Sequence, residues 1–320
     1  PGDLAALRAV LPAETLFLEC AVDTHGAVVV AVGADFVEAR ALDLNETAAL
    51  SAGGFLRDGL TTSAPFAGTT TGFSMGLLDP VAERLAQARR IILCPDEVLS
   101  PLPWPLMTVG GAPLGQSHAL TFAESAGLLL KAVEKPPVKA ARLRAFLPAD
   151  AAGDAAGLPE GERVFGAEAT LTRLLEGAAP EDLVYLSAKV NLTPPDPMLC
   201  PVLLGGDGAQ GETPPARILG LNLPAAAVML DWTPEPAGAA LRPDLVSVTA
   251  EALRHAGAPS VILTLWPVAP AVAREYLTAF LAAQAGADRA SAARAAAEAL
   301  RAAHPESPDW AAFRLTGDFR

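Results

Sequence analysis

Leu183-Val184-Tyr185-Leu186-Ser187-Ala188, stopping at Lys189, and Ala225-Ala226-Ala227-Val228-Met229-Leu230, stopping at Asp231-Trp232-Thr233, are the stretches on which the fold turns. Each is a short apolar run bounded by turn residues, the pattern of a strand covered on both faces in a parallel sheet. Open α/β sheets carry their working groups just beyond the carboxyl ends of such strands. A lysine and a threonine stand there, and chemistry is to be sought around them.

Further stretches flank these two in a fixed order. Upstream, Arg90-Ile91-Ile92-Leu93-Cys94-Pro95-Asp96-Glu97-Val98-Leu99-Ser100-Pro101-Leu102-Pro103-Trp104 is a strand followed by a turn and a Leu-Pro-aromatic run. Downstream lie Gly257-Ala258-Pro259-Ser260-Val261-Ile262-Leu263-Thr264-Leu265-Trp266-Pro267-Val268 and the closing Trp310-Ala311-Ala312-Phe313-Arg314-Leu315-Thr316-Gly317-Asp318. Together these resemble the CHAT family, caspase-like cysteine proteases related to separase and clostripain. In that family one strand ends His-Leu-Ala-Thr-His-Gly, whose second His is the general base. A following strand ends Leu-Ser-Ala-Cys-Glu-Thr, whose Cys is the nucleophile. The resemblance lays Tyr185–Val190 on the first and Leu230–Glu235 on the second, so Lys189 stands for the His and Thr233 for the Cys. One residue of slack would put Trp232 at the Cys position, and either choice leaves no thiol.

The fold that this resemblance implies is α/β and caspase-like, a mainly parallel sheet flanked by helices, in two halves. Residues 1–135 are expected to form an N-terminal pseudo-protease half, folded from about 11 to 130. Residues 136–320 are expected to form the C-terminal caspase-like half with its dyad lost. The boundary falls in Lys131-Ala132-Val133-Glu134-Lys135-Pro136-Pro137-Val138-Lys139, which holds three of the four lysines and a Pro-Pro pair.

Composition narrows the function. A hydrophobic content of 51% over 320 residues supplies a sizeable core. The net charge of −13, with no basic run, argues against a nucleic-acid partner, since such affinity comes from clustered Lys and Arg. Cys20, Cys94 and Cys200 are odd in number and lack metal-ligand spacing, which suits a reducing cytoplasm. The longest tempting uncharged stretch, 255–273, is broken by Pro259, Pro267 and Pro270, so no membrane span is expected. The chain begins at Pro1 without an initiating Met and is expected to be a piece of something longer. CHAT regions commonly follow helical repeats, so an upstream repeat region is an expected partner.

Taken in order, 3–10 reads as a helix end, and 16–22, 27–33 and 36–42 read as three strands. His25, in the first turn between them, is a solvated loop histidine. Asn45 is placed to cap a helix through about Arg57, followed by a Thr/Ser/Gly stretch from Gly59 to Gly72. Leu77, Leu78, Val81, Leu85 and Ala88 mark a helix face that feeds the strand 91–94. Cys94 has no base near it in sequence and is expected to have a buried or capping role. A strand over 141–147, a flexible loop over 151–161 and a short helix over 168–175 lead to the first deciding strand; Ala169-Thr170 matches an Ala-Thr pair of the family. Residues 191–215 read as a long aperiodic loop holding Cys200, a thiol with no activating neighbour. Asp244 is expected to cap a helix closed by Gly257, with His255 answering its dipole. The strand 261–265, helices on Val272–Leu281 and 291–304, and a strand 310–315 end the chain.

A cysteine protease needs a thiolate beside an imidazole. Lysine serves as a base only if its pKa falls from about 10.4 toward 7, and threonine is a poorer nucleophile. The expected function is therefore a catalytically inactive pseudo-protease acting as a protein- or peptide-binding or regulatory module. The alternative is an active CHAT-type peptidase with a non-standard nucleophile; Ser187, on the same side of its strand as Lys189, supports it weakly. Asp231 lies two residues before Thr233, where some relatives carry an acidic residue that lines the pocket for a basic side chain. Asp231 and Trp232 are thus the expected peptide-binding residues, the plain alternative being that Asp231 caps its strand. Scattered histidines predict no metal, and no Gly-rich phosphate loop follows a strand, so no cofactor is expected.

Overall fold

The computed structural model describes residues 4–52, 76–152, 154–204, 212–235 and 243–320. The chain divides into two compact units, Pro1–Glu134 and Lys135–Arg320. The first residues of the expected linker belong instead to a helix, α3 (Ala126–Val133), whose N-terminus Ser125 caps by accepting the Leu128 N–H.

In the first unit α1 (Leu4–Val10) leads into an antiparallel meander, β1 (Thr15–Val22), β2 (Ala27–Val32) and β3 (Val37–Leu42). α2 (Ala82–Gln87) then feeds β4 (Arg90–Pro95), which lies parallel to β1 on one side and to β5 (Ala119–Phe122) on the other. The helix face read from the apolar spacing is fully buried at Leu77, Leu78, Val81 and Leu85, against Leu16, Leu18, Ile91 and Leu93 of the sheet. Asn45 accepts the Ala48 N–H at 3.0 Å and starts helical turns over 46–52; the rest of that helix and the Gly59–Gly72 stretch lie outside the described residues.

The Pro-Asp run after β4 is a packing device. Asp96 accepts the Val22 N–H at 2.5 Å with one oxygen and the Val98 and Leu99 N–H groups with the other. Trp104, wholly buried, donates its indole N–H to the Leu99 carbonyl at 3.0 Å. Cys94 and Cys20 are buried, and burial pushes the Cys20 thiol far above its ordinary range. His25 is exposed in a turn built by Asp23, whose carboxylate lies 3.8 Å from its ring.

The second unit is a sheet of β6 (Arg142–Leu147), β7 (Gly161–Phe165), β8 (Asp182–Asn191), β11 (Ala227–Glu235), β12 (Ser260–Thr264) and β13 (Phe313–Gly317). In space the order is β7-β6-β8-β11-β12-β13, parallel throughout except for β13. One face packs on α5 (Pro243–His255): Leu245, Ala252 and Leu253 close over Leu186, Ala188, Val190, Leu230 and Trp232. On the other face runs α6 (Pro270–Gln284), whose Tyr276 stacks on Phe313 with ring centroids 3.8 Å apart. α7 (Arg289–Ala303) packs beside it, its first turn capped by Asp288.

Five sequence expectations change here, one being the strand read over 310–315, where a helical turn at Pro308–Ala311 precedes β13. β8 and β11 do not stop at Lys189 and Asp231 but continue to Asn191 and Glu235, because backbone pairing persists after the apolar run ends. The expected loop 191–215 contains β9 (Val202–Leu203) and β10 (Glu212–Thr213), antiparallel additions beyond β6 on the same side of β8, and Cys200 is buried with its thiol toward the Pro194 carbonyl. Short helical turns at Ala149–Ala152 and Asp154–Gly157 occupy the expected flexible loop. The α5 helix starts at Pro243, so Asp244 sits inside its first turn. Gly257 does close that helix, with φ +126° and a position where a Cβ would stand 2.8 Å from the Leu223 carbonyl oxygen.

Thr170 caps α4 (Leu171–Leu175), its hydroxyl accepting the Arg173 N–H at 3.2 Å, while Ala169 is buried beneath it. Thr170→Ala is expected to lower the unfolding free energy by about 1 kcal/mol in urea titration, and Thr170→Ser to restore it. Equal stability of all three proteins would contradict the capping role. Among the described residues no helix is long and apolar enough to cross a membrane.

Candidate functional site

Parallel pairing of β8 with β11 sets the site. The register is Tyr185↔Met229, Ser187↔Asp231, Ala188↔Trp232 and Lys189↔Thr233. Side chains alternate along a strand, so Tyr185, Ser187 and Lys189 share one face with Asp231 and Thr233. Ala188 and Trp232 point to the other face, into the core under α5. Lys189 and Thr233 are exposed on neighbouring strands, whose spacing is about 4.8 Å. Trp232, by contrast, is 2% exposed and donates its indole N–H to the Thr264 carbonyl at 3.0 Å. Thr233 is therefore the residue that stands beside Lys189.

Below the exposed pair lies a buried polar group. Asp231, 5% exposed, accepts the Tyr185 hydroxyl at 2.7 Å and is also bonded by the Ser187 hydroxyl. Burial raises the Asp231 pKa to about 6; the Tyr185 and Ser187 hydrogen bonds and the charge of Arg274 act in the opposite sense. Burial, helped by Asp231, likewise pushes Tyr185 well above the ordinary phenol range. Of the four residues singled out from sequence, Lys189 and Thr233 present surface, whereas Asp231 and Trp232 are both buried, on opposite faces. Sequence reasoning missed Tyr185 and Arg274. The alternation Tyr185-Leu186-Ser187, polar atoms two apart within an apolar run, was the available signal for the first. Arg274, 43 positions from Asp231 on another element, left none.

Within this unit neither imidazole is on these strands. His255 is exposed in the last turn of α5, and His304 pairs with Glu275 at 2.7 Å. The Cys200 thiol belongs to the core cluster on the opposite face. Lys189 and Thr233 bring an ammonium and a hydroxyl to the exposed end of this face.

Comparison with known proteins agrees with this architecture. Two crystal structures of the Saccharomyces cerevisiae separase–securin complex superpose with TM-scores of 0.66 and 0.61, at 9% and 10% sequence identity. Each match covers 98% of this chain but 30% of the matched chain, so the chain spans under a third of that protein's length. At such identities the likeness establishes the fold, an α/β caspase-like one. A search of the curated proteins gave no match. The CHAT domain model matches residues 74–318, from the helical segment before β4 through Asp318, and with that coverage the chain belongs to the CHAT family.

Proposed function

We propose that this chain is a catalytically silent CHAT protein that binds a protein or peptide and acts as a regulatory module. One observation carries the reading: the paired positions onto which the family motifs fall hold Lys189 and Thr233, side by side and exposed. The binding surface is this strand-end face, with Asp231 and Trp232 supporting it from below rather than touching the ligand. The securin bound in the separase structures is a protein partner of the same broad kind. A helical-repeat region of the sort that commonly precedes CHAT domains is a second source of such a partner. The cytoplasm is the expected compartment for three buried, unoxidised thiols.

Incubating the purified chain with fluorogenic peptides carrying basic residues at the cut position is expected to give no turnover above buffer. The same peptides' acidic and neutral counterparts, displayed as a pool, are expected to include binders retained by the immobilised chain. Turnover that disappears in Lys189→Ala would replace this reading with that of a peptidase using a non-standard nucleophile.

A further inference from the structure

The antiparallel meander β1–β3 of the first unit packs one face against α2 and turns the other to solvent. Its register sets Glu19, Val30 and Ala39 in one row and Ala21, Val28 and Ala41 in the next, all on the face away from α2. Leu18, Cys20, Val29 and Ala31 alternate with them and enter the core. On the outer face Ala21, Ala39 and Ala41 are exposed, and Val28 and Val37 are 36% and 44% exposed. Phe17 and Val32, in the row of Val37 nearest the β2–β3 turn, are buried, and α1 reaches that end, where Arg8 donates to the Ala34 carbonyl at 3.0 Å.

A solvated sheet face ordinarily carries the polar side chains. In β3 the order is reversed: Glu38 and Arg40 lie on the α2 side, where Arg84 of α2 bonds Glu38 at 2.8 Å and Arg40 pairs with it as well, while Val37, Ala39 and Ala41 face outward. Inward charges of this kind guard an edge strand against the addition of another strand. The outer face, and not the edge, is therefore the surface suited to a partner.

Charge defines that partner. Glu19 carries the charge in the outward rows, and Asp23 in the β1–β2 turn, Asp35 in the β2–β3 turn and Asp43 just after β3 are exposed around it. Against them stand His25, 3.8 Å from Asp23, and Arg8, held at the Ala34 carbonyl. At the start of β1, Arg90 lies opposite Thr15, and Glu14 and Arg89 pair at 3.2 Å. An apolar centre with an acidic rim complements an apolar stripe flanked by cations.

Size defines its shape. Strands about 4.8 Å apart, rising about 3.3 Å per residue over the six residues of β2, give a shelf about 10 Å by 20 Å. That matches the width of one helix and the length of about 13 helical residues. A second copy of this chain would need about 800 Å² from each partner, more than the shelf provides, and would bring two acidic rims together.

We propose that the outer face of the meander docks a basic amphipathic helix of a partner protein, its large apolar side chains packing on Ala21, Val28 and Ala39 and its Lys or Arg residues pairing with Glu19 and the acidic turns. This surface lies on the other unit from the strand-end face and stands or falls separately from peptide binding there.

The test titrates the full chain into two labelled, end-blocked helical peptides of about four turns, with Leu at i, i+3, i+4 and i+7 spacing and the stripe flanked by Lys in one and Glu in the other. The Lys peptide is expected to bind at least about tenfold more tightly than the Glu peptide. Ala39→Lys and Ala41→Lys, at exposed positions, are each expected to weaken it roughly tenfold, and Glu19→Lys about fivefold, with circular dichroism unchanged. Glu83→Lys, the same change of charge at an exposed position of α2, is expected to leave binding within about twofold. Equal binding by Ala39→Lys and the natural chain would overturn the proposal, as would equal binding of the Lys and Glu peptides. A dimer in light scattering that Ala39→Lys returns to monomer would overturn it in favour of self-association. Sedimentation with phosphatidylcholine vesicles, without binding of either peptide, would overturn it in favour of a lipid surface.

Discussion

Arg289→Met is expected to lower the unfolding free energy of the protein by about 3–5 kcal/mol, the cost of breaking a buried charged cluster by removing one partner. Arg289 is 1% exposed at the start of α7 and donates to the carbonyls of Arg320 at 2.7 Å, Ala226 at 3.1 Å and Val138. Its guanidinium also lies 3.5 Å from the Asp318 carboxylate. Burial pulls its pKa below the ordinary value while Asp318 works against that; an arginine stays charged under such conditions. The side chain joins three parts of one unit: the segment before β6, the start of β11 and the final residues. Methionine fills most of the volume but leaves three carbonyls and part of Asp318 without their donor.

Arg289→Lys is expected to recover less than half of the loss, because one ammonium cannot reach the same divergent acceptors. Urea denaturation followed by tryptophan fluorescence measures all three proteins, and a loss under about 1 kcal/mol for Arg289→Met would refute the clamp. The closing Gly-Asp of the family motif has its physical explanation here. Gly317 adopts φ +100°, and a Cβ there would lie 2.3 Å from the Pro259 carbonyl oxygen. Asp318 is then held by Arg320 and Arg289, and its carbonyl accepts the Ser260 hydroxyl at 2.6 Å.

Asp231→Asn is expected to stabilise the protein above pH 6, by about 2–3 kcal/mol, and to leave it unchanged below about pH 4. The native carboxyl titrates near pH 6 against 3.8 when unfolded, because burial disfavours its charge. Between those values the folded protein keeps a proton that the unfolded chain has released. Stability therefore falls as the pH rises through that window and levels off above it. Asparagine cannot ionise, and its carbonyl oxygen still accepts the Tyr185 hydroxyl. Urea midpoints at pH 4.5, 5.5, 6.5 and 7.5 should converge at the acid end and diverge toward the neutral end. Parallel curves would mean that Asp231 is charged in the folded state throughout.

The two predictions differ in how far sequence could have reached them. Gly317 and Asp318 stand in a recognisable closing motif, yet Arg289 precedes the alanine-rich helix expected over 291–304 and begins the helix in the structure. Its burial follows from the strand and tail that close over the start of α7, contacts made from 63 and 31 residues away. Periodicity along one helix gives the relative facing of its own residues. It carries no information on which distant segment will cover them.

At the site the division is similar. The apolar runs 183–188 and 225–230, and the motifs around them, were enough to state an α/β caspase-like fold and to single out Lys189, with Thr233 or Trp232, at the strand ends. Those are matters of local pattern and residue identity, both written in the chain. Tertiary structure alone decided that Thr233 and not Trp232 stands beside Lys189, that Asp231 lies beneath them bonded to Tyr185, and that the charge of Arg274 acts on Asp231. Strand register and helix placement are set by how separate segments pack together. A one-residue change of register would move every side chain of β11 to the opposite face, and only the assembled core chooses between the two.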